Sequence, residues 1–309
     1  MDIKAISNIL LETFYVMIGL FMLLTMVITL KDKNHKTRIG TAIFWGLLSA
    51  IFIFGKYVPA EVVGAGIIVI AVLCGFKQVN AGTIKALDTS FSALKSKEIG
   101  GKIFIPSAVI AVVALAIAQF TDLGGTAAIG LSALVALVSA FMVTKAKVSE
   151  VVEDGNRMMQ AVGSTAILPQ LLAALGAVFT AAGVGDIISG IISNVIPEGN
   201  ILLGVTAYCV GMALFTAIMG NAFGAFSVIT VGIGVPFVIA QGGDPIVATA
   251  LALTAGYCGT LMSPMAANFN IMPAALLEMK DENGIVKYQA AFAGVLLLVH
   301  IALMYFLAF

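Results

Sequence analysis

The sequence predicts an all-α integral membrane protein of about ten hydrophobic segments. The first observation is composition. The 309 residues are 61% hydrophobic and 10% charged, with a mean hydropathy of +1.10, whereas soluble domains carry about 25% charged residues. The second is length: single apolar runs reach the ~20 residues that a helix needs to cross a ~30 Å hydrocarbon core. The third is the placement of lysine and arginine, which alternates between loops. No room remains for a separate soluble domain.

The segments follow in order. Thr13 to Leu30 is the first apolar run. No small-residue cleavage site follows it, so a retained helix is expected rather than a signal peptide. Ile39 to Gly55 and Val58 to Phe76 complete an N-terminal three-helix region, residues 1–103. The remainder, 104–309, opens with Ile103 to Phe120, Leu123 to Thr144 and Gln160 to Ala182. Asn200 to Met219, Gly224 to Ala240, Pro245 to Leu277 and Tyr288 to Phe309 follow. Between these runs, 78–102 and 148–160 mix charged and apolar residues and suit amphipathic interfacial helices. Asp186 is placed to cap a short helix that Pro197 ends.

Orientation follows from the basic residues. Lys31, Lys33, Lys36, Arg38, Lys77, Lys85, Lys95, Lys97, Lys102, Lys145, Lys147, Arg157, Lys280 and Lys287 fall in one set of loops. Lys4 and Lys56 fall in the other. Cytoplasmic loops carry the basic excess, so both termini are expected outside the cytoplasmic (plasma) membrane. No nucleic-acid partner is expected.

Chemistry is constrained by what the apolar segments lack. None carries Asp, Glu, Lys or Arg near its middle; Glu12 and Glu278 lie at segment ends. Membrane enzymes and proton pumps commonly keep such groups inside. His35 sits in a basic loop and His300 stands alone in the last segment. Cys74, Cys209 and Cys258 are far apart in apolar runs and read as small buried residues. No enzyme activity and no cofactor is expected.

Two neutral polar clusters remain. Gly220-Asn221-Ala222, with Ser227 beyond, separates two runs of about 16 residues each. Such runs are marginal for crossing and carry no Lys or Arg at their turn, which suits a re-entrant hairpin better than an ordinary cytoplasmic turn. The second cluster, Gly256 to Pro273, holds Thr260, Ser263, Pro264, Asn268 and Asn270 inside an apolar run. A freed backbone group in hydrocarbon costs several kcal/mol, so a broken helix there suits a binding site. The alternative is a kinked helix that packs its small residues against neighbours.

The pair MGNAFGAFSVITVGIGVPF and GYCGTLMSPMAANFNIMP resembles the paired motifs of the ion transporter superfamily, over roughly residues 103–309. That superfamily includes divalent-anion symporters, sodium/proton antiporters and organic-acid permeases. The whole chain is similar to a narrower bacterial membrane family, domain of unknown function 979. The resemblance implies one half of an inverted-repeat, elevator-type secondary transporter. Gly220, Asn221 and Ala222 would fall at a hairpin tip, and Thr260, Ser263, Pro264 and Asn268 at a broken helix. The substrate would be a small organic anion or amino-acid derivative, with 5-oxoproline (pyroglutamate) the compound the family suggests. Sodium is the expected coupling ion, held near Asn221 and Asn268. Glycine and alanine flank Asn221 where the symporters carry Ser-Asn-Thr, and the antiporters' aspartate is missing, so substrate and ion contacts differ from theirs. One tip and one break are present where two of each complete a midplane site, so a second copy of the chain or a second membrane subunit must supply the others, and the resemblance implies a smaller membrane partner. A non-transporting scaffold subunit and a membrane enzyme are the rival readings.

Overall fold

A computed structural model describes residues 3–83, 89–193, 199–266, 269–277 and 279–309. They are helical, with no strand among the described residues. The helices are α1 (Ile3–Lys31), α2 (Arg38–Phe54), α3 (Ala60–Gly75), α4 (Thr89–Ile99), α5 (Ile105–Phe120), α6 (Gly125–Thr144) and α7 (Val148–Val162). Then come α8 (Leu168–Ala181), α9 (Val184–Ser193), α10 (Ile201–Met219), α11 (Ala222–Ile229), α12 (Pro245–Leu261), α13 (Ile271–Leu276) and α14 (Gly284–Leu307). Six helical stretches among the described residues are long and apolar enough to cross a membrane: Ile3–Lys31, Ala93–Phe120, Gly125–Thr144, Ile201–Met219, Ala222–Ile239 and Gly284–Leu307. Arg38–Phe54, Ala60–Gly75 and Pro245–Leu261 are apolar but shorter. The chain is thus a helical membrane protein.

Several boundaries differ from the hydropathy reading. The first helix begins at Ile3, ten residues before the apolar run, and so takes Glu12 into its body, where it pairs with Lys56 at 3.2 Å. Residues 160–182 do not form one helix: a 3₁₀ turn, Gly163–Ile167, separates α7 from α8. Asp186 lies within the first turn of α9 rather than capping it, where its charge still complements the helix dipole. Pro197 lies outside the described residues. The arms around Asn221 are also longer than the about 16 residues on which the re-entrant hairpin rested. α10 has 19 residues, and α11 continues as a π-helix from Thr230 to Ile239, giving an 18-residue arm. Either arm is long enough to cross, so the argument from short runs for a re-entrant hairpin does not stand.

The chain forms two compact units, Met1–Gly163 and Ser164–Phe309. In the first, α1 and α2 pack closely, and Ser49 donates to the Gly19 carbonyl at 2.7 Å. Phe44 and Trp45 are fully buried, edge to face. Outside the apolar helices, Asp32 accepts from the Thr83 amide at 2.7 Å, the Thr83 hydroxyl and the Asn34 amide. The Thr83 amide foremost, with the other donors, holds the Asp32 carboxyl below its usual range. Gln160 of α7 accepts from the Gly82 amide at 2.8 Å, tying an amphipathic helix to the same loop.

In the second unit, α10 and the α11–π arm run antiparallel: Gly204 meets Phe237, and the Tyr208 hydroxyl meets Thr230 at 2.8 Å. Pro236 within the arm cannot donate a backbone hydrogen bond, and the bonds there widen to i→i−5, as from Ala240 to Val235. α12 runs parallel to α10, matching Gly256 to Met212 and Thr216, and Gly259 to Ala213. α14 returns antiparallel to α12; the Asp244 amide donates to Ala308 at 2.8 Å. Val205, Tyr208, Met212, Ala252, Ala255 and Met304 fill the shared core. Small residues let these backbones approach, which is how helices gain packing energy in lipid.

Candidate functional site

Both polar clusters come together at one end of the second unit, because α10 and α12 run the same way. α10 stops at Gly220, whose φ of +69° suits glycine. Asn221 then caps α11, its side-chain oxygen accepting from the Phe223 amide at 2.9 Å. The Asn221 side chain is partly exposed, whereas Gly220 and Ala222 are buried. Ser227 lies on the exposed face of α11, donating to the Gly224 carbonyl at 3.0 Å.

The break has a definite structure. α12 ends at Leu261, and Met262 turns back to bond Gly259 and Thr260. Pro264 follows, exposed, and lacks the N–H a continuing helix would need. α13 resumes at Ile271. Ser263, 4% exposed, donates to the Ala217 carbonyl on α10 at 2.5 Å and accepts from the Met265 amide at 3.1 Å. One side chain thus satisfies an end carbonyl of α10 and links the tip to the break. Thr260 is buried and donates to Tyr257 at 2.6 Å.

Asn270 is the centre of the cluster. It is 0% exposed. Its amide nitrogen donates to the Thr260 carbonyl at 2.8 Å and the Ser263 carbonyl at 2.6 Å. Its amide oxygen accepts from Gln289 of α14. The carbonyls freed by the break, each worth several kcal/mol if left bare in an apolar setting, are therefore satisfied from within. Thr260, Ser263 and Asn270 form one bonded set, and Asn221 stands at the tip that Ser263 touches through Ala217. Asn268 lies outside the described residues.

Three features were not singled out from sequence. Gln289 was overlooked because it sits at the start of the last apolar run, 19 residues from its partner. The second is a chain of rings: Phe223 of the first α11 turn meets Tyr257 at 6.3 Å between centroids, and Tyr257 meets Phe269 in the break at 6.0 Å. Aromatic residues inside both polar motifs were the available signal. The third is the Thr216 hydroxyl on α10, fully buried beside Gly256 and without a hydrogen-bond partner among the described residues. Among the described residues no His, Cys, Asp and Glu group could hold a metal ion.

A family model described as "Protein of unknown function (DUF979)" matches residues 12–309. The chain belongs to that family. No curated protein and no solved structure matches it, so the likeness to the ion transporter superfamily rests on the two motifs.

Proposed function

We propose that this family member is a subunit of a cation-coupled secondary transporter for a small organic anion, completed by a second, smaller membrane subunit. The observation that carries the reading is the break between α12 and α13, held by Ser263 against Ala217 in the last turn of α10, just before the tip at Gly220–Asn221. Interrupted helices at membrane depth occur where they are buried in protein or line a cavity, and transporters place substrates and ions at such ends. The first turn of α11 offers a helix N-terminus to a carboxylate. Asn221, partly exposed, and Ser263 would complete its contacts, with sodium as the coupling ion near Asn221 and 5-oxoproline as the first substrate to try.

One observation favours the scaffold reading. Thr260, Ser263 and Asn270 all spend hydrogen bonds inside the protein, as a purely structural kink would require. Uptake into membrane vesicles that contain the chain separates the two. Labelled 5-oxoproline and a panel of labelled monocarboxylates are offered with and without an inward sodium gradient. Transport predicts sodium-stimulated uptake of at least one compound, abolished by Asn221→Ala at unchanged membrane level. No chain-dependent uptake, or uptake indifferent to Asn221→Ala and Ser263→Ala, overturns the proposal.

A further inference from the structure

We infer that Asn270 and Gln289 act as a positioning pair: through them, α14 holds the break between α12 and α13 in its binding geometry. The inference rests on the break being the binding site, but the pair is defined by geometry alone. One buried amide joins four pieces of chain: the last turn of α12 at Thr260, the break at Ser263, the start of α13, and α14 through Gln289. Its orientation is forced, since two carbonyls can receive only the NH₂ side, leaving the oxygen to accept from Gln289. With both N–H groups and the oxygen engaged at 0% exposure, Asn270 has little left for a ligand. It positions the Ser263 and Thr260 segments rather than touching what they bind.

Gln289 is the adjustable member, partly buried in the second turn of α14. It must donate. A carboxylate at that position can only accept, and would face the Asn270 oxygen across a hydrogen-bond distance. A neutral carboxyl could donate again, and partial burial raises a carboxyl's pKa toward neutrality. Few titratable groups lie on the neighbouring elements. α10 contributes Tyr208 and Cys209 as its titratable groups, α12 contributes Tyr257 and Cys258, and α13 none. Before and within α14 lie Glu278, Lys280, Asp281, Glu282, Lys287, Tyr288, His300 and Tyr305; Lys287 pairs with Asp281 at 2.7 Å.

The test reads the break directly. Met265, 51% exposed in the break, becomes a reporter as Met265→Cys in a full-length chain whose three native cysteines are alanine. Labelling by a maleimide is measured in membrane vesicles at pH 5 and pH 8, each rate divided by that of the same reporter chain with Gln289 intact. Gln289→Glu should label about tenfold faster at pH 8, as expected for loss of one hydrogen bond to a buried amide, and return to the reference rate at pH 5. Gln289→Met should be fast at both. If Gln289→Glu fails to accumulate in membranes, Gln289→Met decides alone. Reference-rate labelling of Gln289→Met, or equal acceleration of Gln289→Glu at both pH values, overturns the pair. The expected labelling pattern with no uptake of any probe sinks the transport reading and leaves the pair standing. Normal labelling of the Gln289 variants with uptake lost in Ser263→Ala does the reverse.

Discussion

Replacing Gly259 by alanine adds one methyl group where α12 lies closest to α10. A Cβ there would sit 2.8 Å from the Ala213 carbonyl carbon, 2.9 Å from its Cα, and closer still to its oxygen. All three are backbone atoms, so no side chain can swing away. Ordinary contact begins near 3.4 Å, and the two helices must separate by about 0.6 Å at the carbon and more at the oxygen. A radial gap of ~0.5–1 Å forfeits about a quarter to a half of the dispersion energy of each neighbouring contact. The Gly256 packing against Met212 and Ala222 lies one turn away and opens with it. The Ser263–Ala217 hydrogen bond, on the same seam, stretches. Overpacking of this kind costs about 1–3 kcal/mol, less up to ~1 kcal/mol returned by alanine's helix propensity. The control is Gly294→Ala in α14, where nothing lies within 4 Å of the added Cβ and only the propensity gain applies. Thermal unfolding of the two purified variants in detergent should therefore move in opposite directions, Gly259→Ala down by several degrees and Gly294→Ala level or up. Equal Tm values for the two would refute the parallel seam between α10 and α12.

Other consequences can be checked by simpler means. Asn270→Asp keeps the size but loses both donors to Thr260 and Ser263, whose carbonyls keep only backbone amides, at 3.3 Å from Ser263 and Ala266 respectively, and it turns a carboxylate oxygen toward them; at about 0.5–1.5 kcal/mol per lost bond, its urea midpoint should fall well below that of Ser227→Ala. Gly220→Ala places a Cβ at φ +69° and should cost about 1–2 kcal/mol, read as a lower Tm. Asp244 caps α12 by accepting from the Ile246 and Val247 amides at 2.8 and 3.0 Å, so Asp244→Ala should destabilise by about 0.5–2 kcal/mol. Asp32 titrates below its ordinary value of 3.8 in the folded chain. Its contribution is fully present above that value and disappears as the pH falls through the lowered one; the protection of the Thr83 amide against hydrogen exchange, relative to an unstructured amide at the same pH, should fall with acid in the native chain and stay flat in Asp32→Asn. Cysteines placed beside Lys36, Lys97 and Lys147 should resist an impermeant thiol reagent in intact cells, and ready labelling there would reverse the expected orientation.

The helical class and the break were legible because both are local. Hydropathy marks α10 and α14 within a few residues, and Pro264 among neutral polar residues marks where α12 must stop. Length was less legible: α1 begins at Ile3, and its polar residues Ser7 and Glu12 meet the Leu123 carbonyl and Lys56, contacts that no window average registers. The π-helical stretch after α11 was not legible, because its glycines answer to a neighbouring helix: Gly234 gives way to the Tyr208 ring, whose nearest atom lies 2.5 Å from the would-be Cβ. The role of Asn270 was half legible. Its presence in the motif pointed to the site, but an amide facing ligand and one facing freed carbonyls look identical in sequence. Gln289 and the ring chain of Phe223, Tyr257 and Phe269 depend on contacts between separate helices, which periodicity does not encode.

The parallel course of α10 and α12 has an electrostatic consequence. Each helix carries roughly half a negative charge at its C-terminal end, and both ends arrive at the same place, beside the positive ends of α11 and of the short α13, which begins at Ile271. Partial charges of both signs thus meet within one cluster that carries no ionised side chain. A cation beside the α10 and α12 ends and an anion beside the α11 end would each face a partial charge of opposite sign and would attract one another. Coupling of the two would then follow from helix direction alone, without a buried carboxylate to titrate.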